Sequence, residues 1–151
     1  MQILLVVNSF ATSVTPRNTV QVHQYLARHH DVQVVETSER GHATRFAADA
    51  VLRGMDAVIA FGGDGTVNEV ATGLAGGNTA LGVLPGGSTN VFARSLGMAN
   101  DPLLAVTQLA AGIDGGLIAP IGLGEANGRF FTFHAGIGIY SEVVRPVERT
   151  F

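Results

Sequence analysis

The sequence predicts an α/β fold with a doubly wound parallel sheet, followed by the start of a second, β-rich domain. Three observations support this prediction. Short apolar runs alternate with segments of helical periodicity, two of these runs end in glycine-rich turns, and the alternation stops near residue 112. Hydrophobic residues make up 46% and charged residues 14% of the 151 residues, which favours a buried core over a disordered or coiled-coil chain.

The first half of the chain alternates strands and helices. Residues 3–7 form a continuous apolar run, as expected of a strand covered on both faces. Pro16 suits the first turn of a helix that continues to His29, and residues 32–35 form a short β-branched strand. Residues 43–52 then predict a helix that Gly54 closes.

The second half continues the alternation up to residue 112. Strands are expected over 56–61 and 80–84, and helices over 66–74, 89–96 and 102–111. From 115 to 124 there are no charges, and 129–139 predicts one or two strands with a glycine turn. We therefore expect domains at 1–112 and 113–151, the second a truncated one. Exposed strand edges after residue 130 predict self-association or poor solubility of the isolated chain, and a homo-oligomer is one form that self-association can take.

The composition excludes several classes of protein. Cysteine is absent, which excludes disulfides and thiolate chemistry, and all nine basic residues are arginine, which excludes a Walker A or Schiff-base lysine. The net charge of −3, without a basic block, disfavours a nucleic-acid partner. The N-terminus predicts a strand instead of a signal peptide, and no transmembrane segment is expected.

The first glycine turn, residues 62–65, joins a predicted buried strand to a predicted helix. Ligands bind at this carboxyl edge of parallel sheets, where helix N-termini present unpaired N–H groups. The amides of Gly62, Gly63 and Gly65 are expected to hold phosphate oxygens, and Asp64 is expected to hold Mg²⁺ directly or through water. Thr66 is a plausible N-cap, and the alternative for the turn as a whole is a strand-to-helix connection in which Asp64 only caps. Glu69 is open between a ligand role and an ordinary first-turn carboxylate.

The second glycine turn, residues 86–89, repeats this arrangement after the next strand. Gly86 and Gly87 precede a helix start that offers the side chains of Ser88, Thr89 and Asn90. Simple capping is the alternative for Ser88 and Thr89. Two such turns at one sheet edge, in a chain without lysine, predict a nucleotide-phosphate site built from backbone.

Gly62-Gly63-Asp64-Gly65-Thr66 resembles the signature shared by lipid kinases, NAD kinases and phosphofructokinases. Its continuation through Glu69, followed by the block at 84–97, resembles the diacylglycerol kinase catalytic domain family specifically. The resemblance also covers Asn8 after the first strand, Thr37 after the second, and 133–138. It implies a phosphofructokinase-like nucleotide-binding domain.

The resemblance further implies an ATP-dependent lipid kinase that transfers the γ-phosphate to a lipid hydroxyl. Asn8, Thr37 and Asn68 would lie at the nucleotide together with both turns, and Asp64 would act on the transferring group through Mg²⁺. The enzyme would be cytoplasmic and would visit the membrane surface. We also expect Asp64→Asn to leave the fold intact and abolish Mg²⁺-dependent use of ATP.

The chain departs from the family pattern in ways that leave alternatives open. Val91 follows Asn90 where family members commonly have Asp, and Tyr140 stands where the pattern often has Asp. The family's catalytic carboxylate belongs to an Asp-Gly-Glu motif expected beyond residue 151, so this chain is expected to lack the base. The alternatives are an NAD kinase-like enzyme and a truncated, non-catalytic ATP-binding domain.

Overall fold

The computed structural model describes residues 1–133. The elements follow one another as β1 (Gln2–Val7), α1 (Pro16–Leu26), β2 (Asp31–Glu36), α2 (His42–Leu52), β3 (Ala57–Gly62), α3 (Asp64–Leu74), β4 (Ala80–Pro85), α4 (Val91–Ser95), α5 (Pro102–Asp114), β5 (Gly124–Ala126) and β6 (Arg129–Phe131). All four strands predicted before residue 112 are present, within two residues of the expected limits.

Strands β1 to β4 form one parallel sheet in the order β2-β1-β3-β4. Val7 lies opposite both Glu36 and Phe61, and Gly62 lies opposite Pro85, so the four carboxyl ends are level. The loops that follow the strands therefore meet at one edge of the sheet. The predicted α/β class and parallel sheet are confirmed.

The sheet is covered by helices on both faces. Leu4 and Val6 of β1 point to the face covered by α2 and α3, whereas Ile3 and Leu5 pack with α1 and α5. The two central strands are buried on both sides, which explains their continuous apolar sequence. Strand β2, at the edge, is mostly exposed.

Several helix limits differ from the predicted ones. Helix α3 begins at Asp64, two residues before the predicted start, and its N-cap is Gly63, so the prediction of Thr66 as N-cap is wrong. Helix α4 is shorter than predicted, and α1 ends at Leu26. Helix α5 continues to Asp114, beyond the predicted end at residue 111, because Gly112 is accommodated inside the helix. The left-handed Gly116, with φ +66°, follows the end of the helix.

A small antiparallel hairpin follows α5. Strands β5 and β6 are joined by Asn127 and Gly128, both with positive φ, as in a type I′ turn. Within the predicted strand region 129–139, β6 covers Arg129–Phe131, residues 132 and 133 form a bend instead of a strand, and residues 134–139 lie outside the described residues. The predicted boundary at 112 falls within α5, and the division into 1–112 and 113–151 stays a prediction. Among the helices of residues 1–133, none is long and apolar enough to cross a membrane.

Candidate functional site

The carboxyl edge of the sheet brings together the four loops that the sequence predicted as a site. Thr37, which is buried, donates its backbone N–H to the carbonyl of Val7 at 2.9 Å. Asn8 donates its backbone N–H to the carbonyl of Phe61, also at 2.9 Å. The loops after β1 and β2 therefore start by extending the hydrogen bonding of the parallel sheet, which determines where Asn8 and Thr37 lie.

The two glycine turns pack against each other, backbone to backbone. Gly86 donates its N–H to the carbonyl of Gly62 at 2.8 Å. A Cβ added at Gly86 would lie 2.8 Å from the Cα of Gly62, and one added at Gly87 would lie 2.8 Å from the Cα of Gly63. The chain's own packing thus requires glycine at Gly86 and Gly87, a reason different from the ligand approach that the sequence suggested.

Gly62 is constrained from inside its own turn. A Cβ there would lie 2.6 Å from the Thr66 hydroxyl oxygen. That hydroxyl is buried and accepts a hydrogen bond from the side-chain amide of Asn8 at 2.9 Å. Thr66 therefore joins α3 to the loop after β1.

Gly65 has no such constraint. It lies in the first turn of α3 with a helical backbone, it is exposed, and within residues 1–133 no atom lies within 4 Å of a Cβ built there. Glycine in a helix costs about 0.5–1 kcal/mol relative to alanine. Gly65 differs from the helical Gly112, which also has open space at its Cβ, because it lies in the first turn of its helix beside the packed glycine turns, where a ligand could approach the helix N-terminus.

Asp64 caps helix α4 from the other turn. Its Oδ2 accepts hydrogen bonds from the backbone N–H of Val91 at 3.0 Å and from the hydroxyl of Thr89 at 3.2 Å, and its Oδ1 accepts one from the N–H of Phe92 at 2.9 Å. A carboxylate next to unpaired N–H groups at a helix start is favourable. Asp64 therefore caps α4, the role that was the alternative to ligand binding for Ser88 and Thr89 in the sequence.

Asn90 holds the second glycine turn together. It is buried and left-handed, with φ +47°. Its Oδ1 accepts the Gly87 N–H at 2.8 Å, while its Nδ2 donates to the Gly87 carbonyl at 2.7 Å and to the Asn100 side chain at 2.8 Å. Ser88 is exposed beside it. The amide of Asn90 is thus committed to the turn itself.

Two further side chains of α3 contact other segments. The Asn68 amide donates to the carbonyl of Phe130 at 3.1 Å and accepts from the N–H of Thr132 at 3.0 Å. Glu69 accepts the backbone N–H of Gly41 at 3.0 Å, at the start of α2. No pattern in the sequence pointed to these partners, because each belongs to a segment distant along the chain.

The fit to Mg²⁺ depends on Asp64. Within the described part of the chain, no three His, Asp or Glu side chains gather as a metal site. Mg²⁺ at phosphotransfer sites is commonly held by one or two carboxylates together with phosphates and water. Asp64 accepts three hydrogen bonds out of about four lone-pair positions, which leaves room for one bound ion or water.

Comparison with known proteins identifies the family. The model of the diacylglycerol kinase catalytic domain matches residues 2–117. The chain belongs to the diacylglycerol kinase catalytic domain family. It is 42% identical over 113 residues to a diacylglycerol kinase of Bacillus subtilis (strain 168), an alignment that covers 74% of this chain and 36% of that protein.

Two further similar proteins support this family assignment. A protein of Klebsiella pneumoniae (strain 342) named "probable lipid kinase YegS-like" is 42% identical over 99 residues, covering 64% of this chain and 32% of that protein. The crystal structure of a diacylglycerol kinase from Bacillus anthracis str. Sterne superposes with a TM-score of 0.76 at 32% identity, over 86% of this chain and 45% of that one. The chain thus spans about a third of the length of the curated diacylglycerol kinase relatives it matches.

Proposed function

We propose that this chain forms the nucleotide-binding part of an ATP-dependent lipid kinase of the diacylglycerol kinase type. The observation that carries the proposal is the opening at Gly65, next to the packed glycine turns and the N-terminus of α3. The first N–H groups of a helix have no partner within it, and its positive dipole end favours phosphate. Family membership supports the same reading.

In this proposal the phosphates of ATP lie along the backbone of Gly63 and Gly65, with Ser88 and Thr89 facing them from the second glycine turn. The sequence also predicted contacts of Asn8, Thr37, Asn68 and Asn90 with the nucleotide, and these remain proposals. Because the side-chain amides of Asn68 and Asn90 already hydrogen-bond within the chain, we propose that these two residues act by positioning their segments. Asp64 would hold Mg²⁺ through its remaining lone pair. Bound Mg²⁺ neutralises charge on the transferring phosphoryl group.

The reaction is the transfer of the γ-phosphoryl group to a lipid hydroxyl. The hydroxyl oxygen forms a bond to the γ-phosphorus while the bond to the β-phosphate oxygen breaks, and ADP leaves. The hydroxyl proton passes to a base, which we assign to the second domain of the whole protein. Such transfer depends mainly on positioning and charge stabilisation, and both glycine turns supply these.

We further propose that the whole enzyme is cytoplasmic and meets its lipid at the membrane surface, where a lipid hydroxyl is accessible. Diacylglycerol, sphingoid bases and polyprenols all carry such a hydroxyl.

Substitution of Gly65 tests the nucleotide site. Gly65→Ala should raise the free energy of unfolding by about 0.4–1 kcal/mol, because the backbone is helical and the Cβ meets no atom of the described chain. It should also weaken binding of ATP with Mg²⁺ by about tenfold, because the Cβ fills the opening. Urea unfolding and titration calorimetry measure the two effects.

Gly112→Ala is the matched control, since Gly112 is also helical with open space at its Cβ. It should stabilise the chain equally and leave ATP affinity unchanged. Equal ATP affinity in wild type and Gly65→Ala would contradict the proposed site.

Transfer of labelled γ-phosphate tests the activity. The chain is incubated with labelled ATP, Mg²⁺ and a lipid extract, with NAD as a second acceptor. A labelled lipid supports the lipid kinase. Labelled NADP would support the NAD kinase alternative, and ATP binding without any labelled product would support a non-catalytic domain.

A further inference from the structure

We propose that Asn68 is a positioning residue that docks the hairpin β5–β6 onto helix α3, beside the opening at Gly65. The effect of this docking on nucleotide binding rests on the proposed function, whereas the docking itself does not. Asn68 thereby joins the segment after α5 to the first glycine turn.

The geometry of the contact is that of one more β-ladder partner. The side-chain amide of Asn68 donates to the carbonyl of Phe130, in β6, and accepts from the N–H of Thr132, the residue that follows the end of β6. A neighbouring strand would use the same pair of backbone groups in this way. An amide side chain carries both a donor and an acceptor, so asparagine can replace a strand residue here.

The hairpin needs such an anchor. Its strands have three residues each, and a lone two-stranded hairpin is marginally stable in water. The segment that leads to it from α5, residues 117–123, contains neither helix nor strand. The hydrogen bonds of Asn68, together with the packing of β6 on α3, therefore fix where the hairpin lies.

The position of Asn68 on the helix gives the docking its consequence. Asn68 follows Gly65 by three residues and Asp64 by four, and residues with these spacings share a face of an α-helix. The docked hairpin is thus held along the same face of α3 as the opening at Gly65. Loss of the Asn68 amide should let the hairpin leave this face.

Amide hydrogen exchange of the whole chain tests the docking. In Asn68→Ala, exchange at Thr132 and at the β6 amides should accelerate about tenfold or more, while the β3 amides keep wild-type rates. Asn68→Asp retains an acceptor for the Thr132 N–H and loses the donor to Phe130, so its Thr132 rate should be intermediate. Asn78→Ala, at an exposed asparagine in the turn before β4, is the control and should match wild type.

Binding of ATP with Mg²⁺ separates positioning from a purely structural contact. Asn68→Ala should weaken ATP binding several-fold while the β3 amides stay protected, Asn68→Asp should recover part of the affinity, and Asn78→Ala should not change it. Wild-type exchange at Thr132 in Asn68→Ala would overturn the docking. Faster exchange in Asn68→Ala with unchanged ATP affinity would overturn the positioning role. Absence of ATP binding in the wild-type chain would refute the proposed function, and the exchange rates would then still decide whether the hairpin docks through Asn68.

Discussion

Asp64 is of a residue type suited to Mg²⁺, and it also closes the contact between the two glycine turns. Both of its carboxylate oxygens accept hydrogen bonds from the start of α4. Removal of the charge therefore affects the arrangement of the second turn as well as any bound ion. The prediction that Asp64→Asn leaves the fold intact therefore stands beside a second one, that the variant is less stable than wild type.

We predict that Asp64→Asn lowers the free energy of unfolding by about 1–3 kcal/mol, because an amide nitrogen replaces one accepting oxygen and the charge at the helix start is lost. Urea denaturation measures the change. Asp49→Asn is the control, because Asp49 makes an exposed ion pair with Arg53 and should shift stability by about 0.5 kcal/mol or less. Equal stability of Asp64→Asn and wild type would contradict the capping role.

The residue types of the site could be predicted from sequence, but their partners could not. The pattern of glycines and polar residues after two strands is local, so Gly62, Gly86 and Asp64 could be found by reading along the chain. Gly86 must be glycine because it packs against the Cα of Gly62, and the Asn90 amide is held in part by the side chain of Asn100. Such partners are decided by how the loops fold together.

At the level of secondary-structure elements, α2 and α3 approach closely through one glycine. A Cβ at Gly73 would collide with the carbonyl oxygen of Thr44 and lie 2.7 Å from the Cβ of Ala47. The same pair of helices is joined by the Thr44 hydroxyl, which donates to the Glu69 carbonyl at 3.0 Å. Gly73 thus sets the distance between two helices that cover one face of the sheet.

We predict that Gly73→Ala destabilises the fold by about 1–3 kcal/mol through overpacking, although alanine has the higher helix propensity. Thermal or urea unfolding measures the change. Gly112→Ala, in open space on α5, should show the propensity gain by itself. If Gly73→Ala were as stable as Gly112→Ala, the close approach of α2 and α3 would not be required.

Strands were predicted more reliably than the ends of helices. The apolar runs of β1 and β3 determine their positions, because a strand buried on both faces requires such a run. The start of α4 was misplaced, because its cap comes from Asp64 in another loop. Strand β5 was missed, although Asn127-Gly128 is a strong local signal for a hairpin turn.

In the molecule as a whole, the four-stranded sheet within residues 1–133 has β2 and β4 as its edge strands, and β2 is mostly exposed. In the hairpin, Asn68 pairs with the backbone of Phe130 and Thr132, so β5 is its other edge.

We predict concentration-dependent self-association of the chain through these edges, measured by sedimentation velocity over a wide range of protein concentration. Val34→Lys, at an exposed position of β2, should shift the distribution toward monomer if that edge is used. A monomer at every concentration would contradict the prediction.

The first two turns of α3 hold four different segments: Asp64 binds the start of α4, Thr66 the loop after β1, Asn68 the hairpin and Glu69 the start of α2. Under the proposed function, an allele altered at one of these codons would carry two defects at once, a weakened nucleotide site and a displaced neighbour. Growth at reduced temperature would relieve the second defect and leave the first. We therefore expect temperature-dependent growth defects from substitutions at these four codons and a temperature-independent defect from substitution of Gly65.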